Sequence, residues 1–232
     1  MMGMKALIRC RCSIHGVIGA DRIIAIAEET GLIHSLGDFV LRSALAQLKQ
    51  WEHQGYARLK VSVNLLPPQF RNLQLIRSVK EALADSGVAP KQLKLEITES
   101  ALMHDAEQTI ETMHALKRLG MSLSIDDFGV GYSSLGYLAR LPVDCLKIDR
   151  SFVTDLPSNK HEAIVARGII SMARGLSLTT VAEGVETDAQ FQFLESNGCH
   201  QIQGYLLSRP ILPEEITERF LLVSTRALYA LA

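Results

Sequence analysis

The fold of this chain is constrained most by a regular alternation of short apolar segments with longer amphipathic ones. Seven apolar segments have the length and residue pattern of β-strands, at 4–10, 59–65, 93–98, 121–125, 143–148, 178–182 and 201–205. Helical spacing predicts helices at 23–30, 36–51, 73–85, 105–119, 135–140, 161–174, 188–197 and 214–222. Strands that alternate with helices form parallel sheets. The sequence therefore predicts an α/β fold like a TIM (β/α)8 barrel, with seven strands where a closed barrel has eight.

Polar side chains recur at one class of position in this pattern, at or near the C-terminal end of successive predicted strands. They are Asn64, Glu96, Asp126, Lys147, Glu183 and Gln203. One acid at a strand end is commonly a helix cap or a solvated turn residue. Six in series instead indicate the face of a βα-barrel that carries catalytic and ligand-binding groups.

Composition limits the partners and the setting of this fold. The 232 residues include 24 basic and 25 acidic ones, so the net charge of −1 favours neither a nucleic acid polymer nor an anionic membrane as a partner. No apolar run approaches the length of a membrane span. The four cysteines lack the spacing of a zinc site, which predicts reduced thiols and a cytoplasmic protein. Without a linker or a shift in composition, we expect a single domain over residues 1–232.

The chemistry of the polar residues predicts a divalent metal. Carboxylate and amide oxygens suit Mg²⁺ or Mn²⁺, and two acids in a row, Asp126 and Asp127, can contribute to a pair of cations that act on a phosphodiester. Lys147 could hold the attacking water or offset charge in the transition state. The glycine-rich loop 129–134 fits two interpretations, a tight turn before a helix or a lid beside the aspartates.

Several motifs, taken in order, resemble the EAL domain of bacterial cyclic di-GMP phosphodiesterases. They are Asp-Asp-Phe-Gly at 126–129, Gly-Tyr-Ser-Ser-Leu at 131–135, Leu-Lys-Ile-Asp at 146–149, Ala-Glu-Gly-Val-Glu at 182–186 and Gln-Gly-Tyr at 203–205. Glu-Ile-Thr-Glu-Ser at 96–100 and Asn64 also fit. The resemblance covers nearly the whole chain and implies a βα-barrel whose first strand is antiparallel to the others. It also implies hydrolysis of cyclic di-GMP to pGpG with Mg²⁺ or Mn²⁺.

The resemblance implies a role for each matching residue. Asn64, Glu96, Asp126, Asp127 and Glu183 would be metal ligands, with Glu183 also a candidate general base, and Lys147 would contact the nucleophilic water. Glu99 would anchor the loop after Asp127. The substrate would be contacted by Leu7, Arg9, Glu186 and Gln203. Members of this family commonly form dimers, so a homodimer is expected.

Two departures from the family pattern fall near the start of the chain. Lys5 stands where the Glu-Ala-Leu motif has its glutamate, which is a metal ligand. We expect Lys5 either to weaken the metal site by pairing with Glu96 or Asp126, or to turn towards solvent. The family's first strand is also missing, so we expect an open barrel edge that is covered by a partner chain, covered by a rearranged N-terminus, or poorly ordered.

Three functions stay open from the sequence. The first is a module that binds cyclic di-GMP, or a protein partner, with impaired or lost hydrolysis. The second is an active metal-dependent phosphodiesterase. The third is a structural interaction module that does not bind nucleotide. A sensory or cyclase domain further upstream is compatible with all three.

Overall fold

The computed structural model describes residues 3–13, 16–103, 106–131 and 135–221. Its main sheet contains seven strands, and every neighbouring pair is parallel. In sheet order they are β1 (Met4–Lys5), β4 (Val61–Leu65), β5 (Leu93–Thr98), β6 (Ser122–Phe128), β7 (Cys145–Ile148), β8 (Thr179–Ala182) and β9 (Gln201–Ile202). The predicted α/β fold with seven strands is confirmed. Within the described residues β1 and β9 do not pair, so the sheet curls without closing.

Helices follow most of these strands and cover the outer face of the sheet. They are α1 (Ala20–Glu29), α2 (Ile33–His53), α3 (Pro67–Phe70), α4 (Leu75–Ser86), α5 (Ala106–Arg118), α6 (Leu135–Leu138), α7 (Lys160–Gly175), α8 (Asp188–Ser196) and α9 (Pro213–Ile216). Along β5, Leu93, Leu95 and Ile97 are buried in the hydrophobic core, and Glu96 lies on the opposite face. Apolar residues of the strands therefore pack against the helices, and the residues that alternate with them line the inner face of the sheet.

The first predicted strand is shorter than expected. The chain leaves the sheet after β1, whose backbone bonds to the next strand run from Met4 N to Lys60 O and from Ala6 N to Ser62 O. Residues 10–18 then form a separate antiparallel pair, β2 (Cys10–Cys12) with β3 (Gly16–Ile18). An edge strand is paired on one side only, which explains why the apolar segment at 4–10 overestimated its length.

Strand β6 is longer than predicted and contains a bulge. Ile125 pairs with Leu146 and Phe128 with Ile148, so β6 has one more residue than β7 between these pairs. Asp127 adopts a left-handed conformation with φ of 53°. A bulge re-aims side chains, and here two consecutive acids receive different surroundings. The predicted loop residues 132–134, the start of the predicted helix at 105 and the last residue of the helix predicted to end at 222 lie outside the described residues.

Candidate functional site

The inner face of the sheet brings three acids and two lysines into one cluster. Lys5 comes from β1, Glu96 from β5, Asp126 from β6 and Lys147 from β7, while Glu183 directly follows β8. Glu96 and Asp126 are each 3% exposed and Lys147 is 1% exposed. Because the carboxyl ends of parallel strands meet at one edge of a sheet, residues far apart in sequence become neighbours here. We call these five residues the ionic cluster.

Each lysine of the ionic cluster contacts all three carboxylates. Lys147 Nζ lies 2.6 Å from Glu96 Oε2 and 2.8 Å from Asp126 Oδ1, and it also contacts Glu183 Oε1. Lys5 Nζ lies 2.9 Å from Glu96 Oε2, 2.9 Å from Asp126 Oδ2 and 3.7 Å from Glu183 Oε1. The Lys5 ammonium thus lies between the carboxylates, with its side chain 13% exposed.

Charge pairing controls protonation in the ionic cluster. Burial alone would raise the pKa of Asp126, but the ammonium groups of Lys147 and Lys5 outweigh burial and lower this pKa below its ordinary value. Burial likewise disfavours the charged form of Lys147, yet Glu96, Asp126 and Glu183 raise its pKa above the ordinary range. Asp126 and Lys147 are therefore both charged at neutral pH. By formal charge, the three carboxylates and two ammonium groups of the cluster leave one net negative charge.

Two of the predicted metal ligands lie outside the ionic cluster. Asp127 is an exposed residue beside the bulge, but its carboxyl group is partly shielded from solvent. This partial burial and the charges of Asp126, Glu183 and Asp149 raise its pKa to about 6. Asn64 is also exposed, on β4 in register with Glu96 of β5. The structure therefore brings together three of the five predicted ligands and places the other two near the rim of the site.

Glu99 connects the end of β5 to the loop that follows β6. Its Oε2 accepts hydrogen bonds from the backbone N–H groups of Gly129 at 3.0 Å and Gly131 at 3.1 Å. Gly131 approaches this carboxylate closely: an added Cβ would lie 2.9 Å from Cδ of Glu99, so the carboxylate would have to shift. The Glu99 carboxylate, only 3% exposed, thus occupies the space that a side chain at 131 would fill.

Replacing Gly131 with alanine should displace the Glu99 carboxylate and weaken its hydrogen bonds to Gly129 and Gly131. We expect the free energy of unfolding in urea to fall by about 1–3 kcal/mol, the cost of weakening hydrogen bonds to a buried carboxylate. Gly136→Ala is the matched control, since a Cβ at Gly136 meets nothing within 4 Å. Equal stabilities for the two variants would show that Glu99 does not depend on the close approach.

The predicted substrate contacts occupy the same end of the sheet as the ionic cluster. Leu7 is 42% exposed, Arg9 is exposed beyond β1, and Glu186 is exposed after β8. Gln203 follows β9, where its backbone N–H donates to Ala182 O at 2.8 Å and its carbonyl accepts from Val185 N at 3.1 Å. All four residues follow strands at or near the edges of the sheet: Leu7 and Arg9 follow the edge strand β1, Gln203 follows the edge strand β9, and Glu186 follows β8, the neighbour of β9.

Ser124 is a residue of the inner face that sequence reasoning did not single out. It precedes Asp126 by two on β6, it is fully buried, and its Oγ has no hydrogen-bond partner within the part of the chain described. Period-two alternation back from Asp126 could have identified it, since alternate residues of a strand share a face. Asp126 Oδ1 and Glu183 Oε1 lack well-oriented hydrogen bonds, although both lie at ion-pair distance from Lys147.

The donor set of the ionic cluster suits a hard divalent cation only in part. One oxygen each from Glu96, Asp126 and Glu183 lie within 4.8 Å of one another, a spacing that could hold a metal ion. However, Asp126 Oδ2 and Glu96 Oε2 already bind the Lys5 ammonium. In this arrangement the residues do not fit a divalent ion, because Lys5 takes up the oxygens that the ion would need.

A curled sheet of seven parallel strands with acids and lysines at its carboxyl end defines a barrel-like α/β protein with an anionic site. A family model described as the EAL domain matches residues 1–210. The chain belongs to the EAL domain family. Phosphodiesterases of this family depend on a metal ion, generally Mg²⁺ or Mn²⁺. No helix in the described residues is long and apolar enough to cross a membrane.

Individual relatives agree with the family assignment. The chain is 48% identical over 218 residues to the cyclic di-GMP phosphodiesterase NbdA of Pseudomonas aeruginosa, covering 94% of this chain and 28% of that protein. It is 43% identical over 216 residues to the bifunctional diguanylate cyclase/cyclic di-GMP phosphodiesterase MucR of the same organism, covering 93% and 32%. The chain therefore spans about a third or less of the length of these curated relatives.

Among solved structures, the PaMucR phosphodiesterase in its c-di-GMP complex superimposes with a TM-score of 0.90. The two chains are 42% identical, and the match covers 93% of this chain and 87% of the other. The FimX EAL domain from Pseudomonas aeruginosa bound to c-di-GMP matches with a TM-score of 0.80 at 24% identity, which supports the fold alone.

Proposed function

We propose that this chain is a single EAL-type domain that binds cyclic di-GMP and hydrolyses it poorly or not at all. The observation that carries the proposal is the position of the Lys5 ammonium, 2.9 Å from both Asp126 Oδ2 and Glu96 Oε2. In this interpretation the Glu-Ala-Leu motif is degenerate, because its first residue supplies a positive charge in place of a ligand. Binding is supported by the PaMucR complex with c-di-GMP.

The electrostatic effect of Lys5 explains why we expect weak metal binding. With a glutamate at position 5, the cluster would hold four carboxylates and one ammonium, three net negative charges in place of one. At short distance in a partly desolvated site, the Coulomb energy between a divalent cation and a carboxylate is several kcal/mol. The lysine removes two units of this charge and also occupies carboxylate oxygens.

The remaining roles follow from the family pattern. We propose Asn64 and Asp127 as further metal ligands, Glu183 as the general base, Lys147 as the residue that contacts the attacking water, and Glu99 as the loop anchor. Leu7, Arg9, Glu186 and Gln203 are proposed to contact the nucleotide. In the described structure Cys10, Cys12, Cys145 and Cys199 are not joined in disulfides, which supports a cytoplasmic setting. The proposal also includes a homodimer, and either a protein partner or an upstream regulatory domain.

An active phosphodiesterase is the second candidate. The observation that favours it is that Lys5 lies on an edge strand, from which it could be displaced. Strand β1 is two residues long and is paired on one side only. Edge segments of this kind open at low cost in free energy. If substrate and metal displaced Lys5, the three carboxylates of the cluster would be available to the ion.

Turnover of cyclic di-GMP with Mn²⁺ distinguishes the two candidates. We expect wild-type turnover to be no higher than that of a Lys147→Ala variant, or of wild type with EDTA should that variant unfold. Calorimetry should still detect cyclic di-GMP binding, with either Ca²⁺ or Mg²⁺ present. Turnover clearly above both controls would establish the active enzyme, and absence of any binding would favour a structural interaction module.

A further inference from the structure

A group of basic residues lies at the end of the sheet opposite the ionic cluster. Arg58 and Lys60 precede β4, Lys91 and Lys94 lie before and in β5, and Arg118 ends α5 just before β6. Arg58, Lys60, Lys91 and Arg118 are exposed, and Lys94 is half-buried. We call these five residues the basic rim. Because they mark the N-terminal ends of adjacent parallel strands, they lie on one side of the molecule.

Specific contacts hold the segments of the basic rim together. The Gln92 side chain donates from Nε2 to Ala57 O and to Leu59 O, both at 3.2 Å, which fixes the Lys91 segment beside the Arg58 segment. Lys94 lies in register with Ser62 on one side and Ser122 on the other. A Cβ built on Gly120 would lie 3.5 Å from Pro90 Cβ, so the end of α5 packs beside the same turn.

The charge of the basic rim is not neutralised by nearby acids. Over the described ranges, none of its five residues forms an ion pair with a carboxylate. Two acids near this end are paired elsewhere, Asp144 with Lys117 at 2.6 Å and Glu52 with Lys49 at 3.1 Å. Since the whole chain has a net charge of −1, this positive charge is a local feature.

The chemistry around the basic rim narrows the kind of partner. None of the large hydrophobic side chains exposed in the described structure belongs to the segments 57–60, 90–94 or 117–120. Stable protein interfaces are enriched in aromatic anchors as well as Arg, and single-stranded nucleic acid needs aromatic side chains for base stacking. Five cations without an exposed aromatic or large apolar side chain among them match a diffuse anionic surface better than either, since each basic residue adds attraction to such a surface.

We propose that the basic rim docks this domain on an anionic phospholipid surface. The ionic cluster at the opposite end of the strands would then face away from the lipid, towards solvent and nucleotide. This docking is electrostatic, so it weakens as salt screens the charges.

Vesicle co-sedimentation tests the proposal. The wild-type chain should sediment with phosphatidylcholine vesicles that contain about 30% phosphatidylserine at low salt. It should not sediment with pure phosphatidylcholine, nor with the mixed vesicles at high salt. The triple variant Lys60→Gln, Lys91→Gln, Arg118→Gln should lose about tenfold or more in partitioning. All three residues are exposed, so the variant should keep its thermal midpoint and its affinity for cyclic di-GMP.

The matched control removes the same charge from another part of the surface. Arg22, Arg71 and Lys80 are exposed and lie outside the basic rim, and their replacement by glutamine should leave partitioning within about twofold of wild type. The proposal is overturned if wild type ignores anionic vesicles or if the control loses as much binding as the rim variant. Rim-dependent binding of a single-stranded RNA oligonucleotide without vesicle binding would also overturn it.

Discussion

The Lys5→Glu variant should bind Mn²⁺ at least about tenfold more tightly than wild type, a gain of about 1.4 kcal/mol or more. The substitution removes the ammonium that lies 2.9 Å from Asp126 Oδ2 and Glu96 Oε2 and adds a fourth carboxylate. Titration of Mn²⁺ followed by electron paramagnetic resonance measures the affinity directly. Turnover of cyclic di-GMP should rise in parallel, because the metal site limits hydrolysis in this proposal.

Stability provides a second measurement on the same variant. Without metal, four carboxylates around one lysine repel one another, so Lys5→Glu should unfold at a lower temperature than wild type. Saturating Mn²⁺ should raise the midpoint of the variant more than that of wild type, since a ligand stabilises the state that binds it. Lys5→Gln is the control, because it removes the ammonium without adding a ligand, and it should fall between the two.

An unchanged Mn²⁺ affinity in Lys5→Glu would contradict the role assigned to Lys5. The proposed impairment of hydrolysis would then have to come from the open edge between β1 and β9, where the described strands do not pair. A Lys5→Glu variant that binds Mn²⁺ tightly but does not hydrolyse cyclic di-GMP would also implicate that edge.

Much of the fold could be predicted because short apolar segments alternate with helical patterns along the chain. The seven strands of the parallel sheet were predicted, and the polar residues at their ends identified one face of it. The length of β1 could not be predicted, because the residue pattern does not show that this strand lies at the edge of the sheet, where only one neighbour pairs with it. The pairing of residues 10–12 with residues 16–18 depends on tertiary structure in the same way.

The bulge in β6 limited what the sequence could establish about the site. Asp126 and Asp127 look equivalent as adjacent acids in a motif, but one is buried in the ionic cluster and the other is exposed with φ of 53°. Sequence spacing does not show which of two neighbouring carboxylates turns inwards. Pairing of Lys5 with Glu96 or Asp126 is one of the two outcomes that the sequence allows, since charge alone does not decide between pairing and solvation; the further contact with Glu183 is seen only in the structure.

Removal of Lys147 should have the largest effect on stability of any substitution in the ionic cluster. Lys147→Met keeps most of the side-chain volume but leaves Glu96 and Asp126, each 3% exposed, with Lys5 as their remaining partner in the cluster. Breaking a buried ion pair by removing one member costs about 3–5 kcal/mol, because a buried charge loses its compensation. Urea unfolding should register a loss of this size.

Lys117→Met is the matched control for this prediction, because Lys117 also pairs with an aspartate but at a site where both side chains are partly exposed. Such pairs contribute about 1 kcal/mol or less, since solvent screens them. If both variants lost the same stability, the buried acids would have to be neutral rather than charged, and the balance of charges in the cluster would be wrong. A larger loss for Lys147→Met that Mn²⁺ partly restores would instead show that the carboxylates need positive charge from some source, which either ammonium or metal can supply.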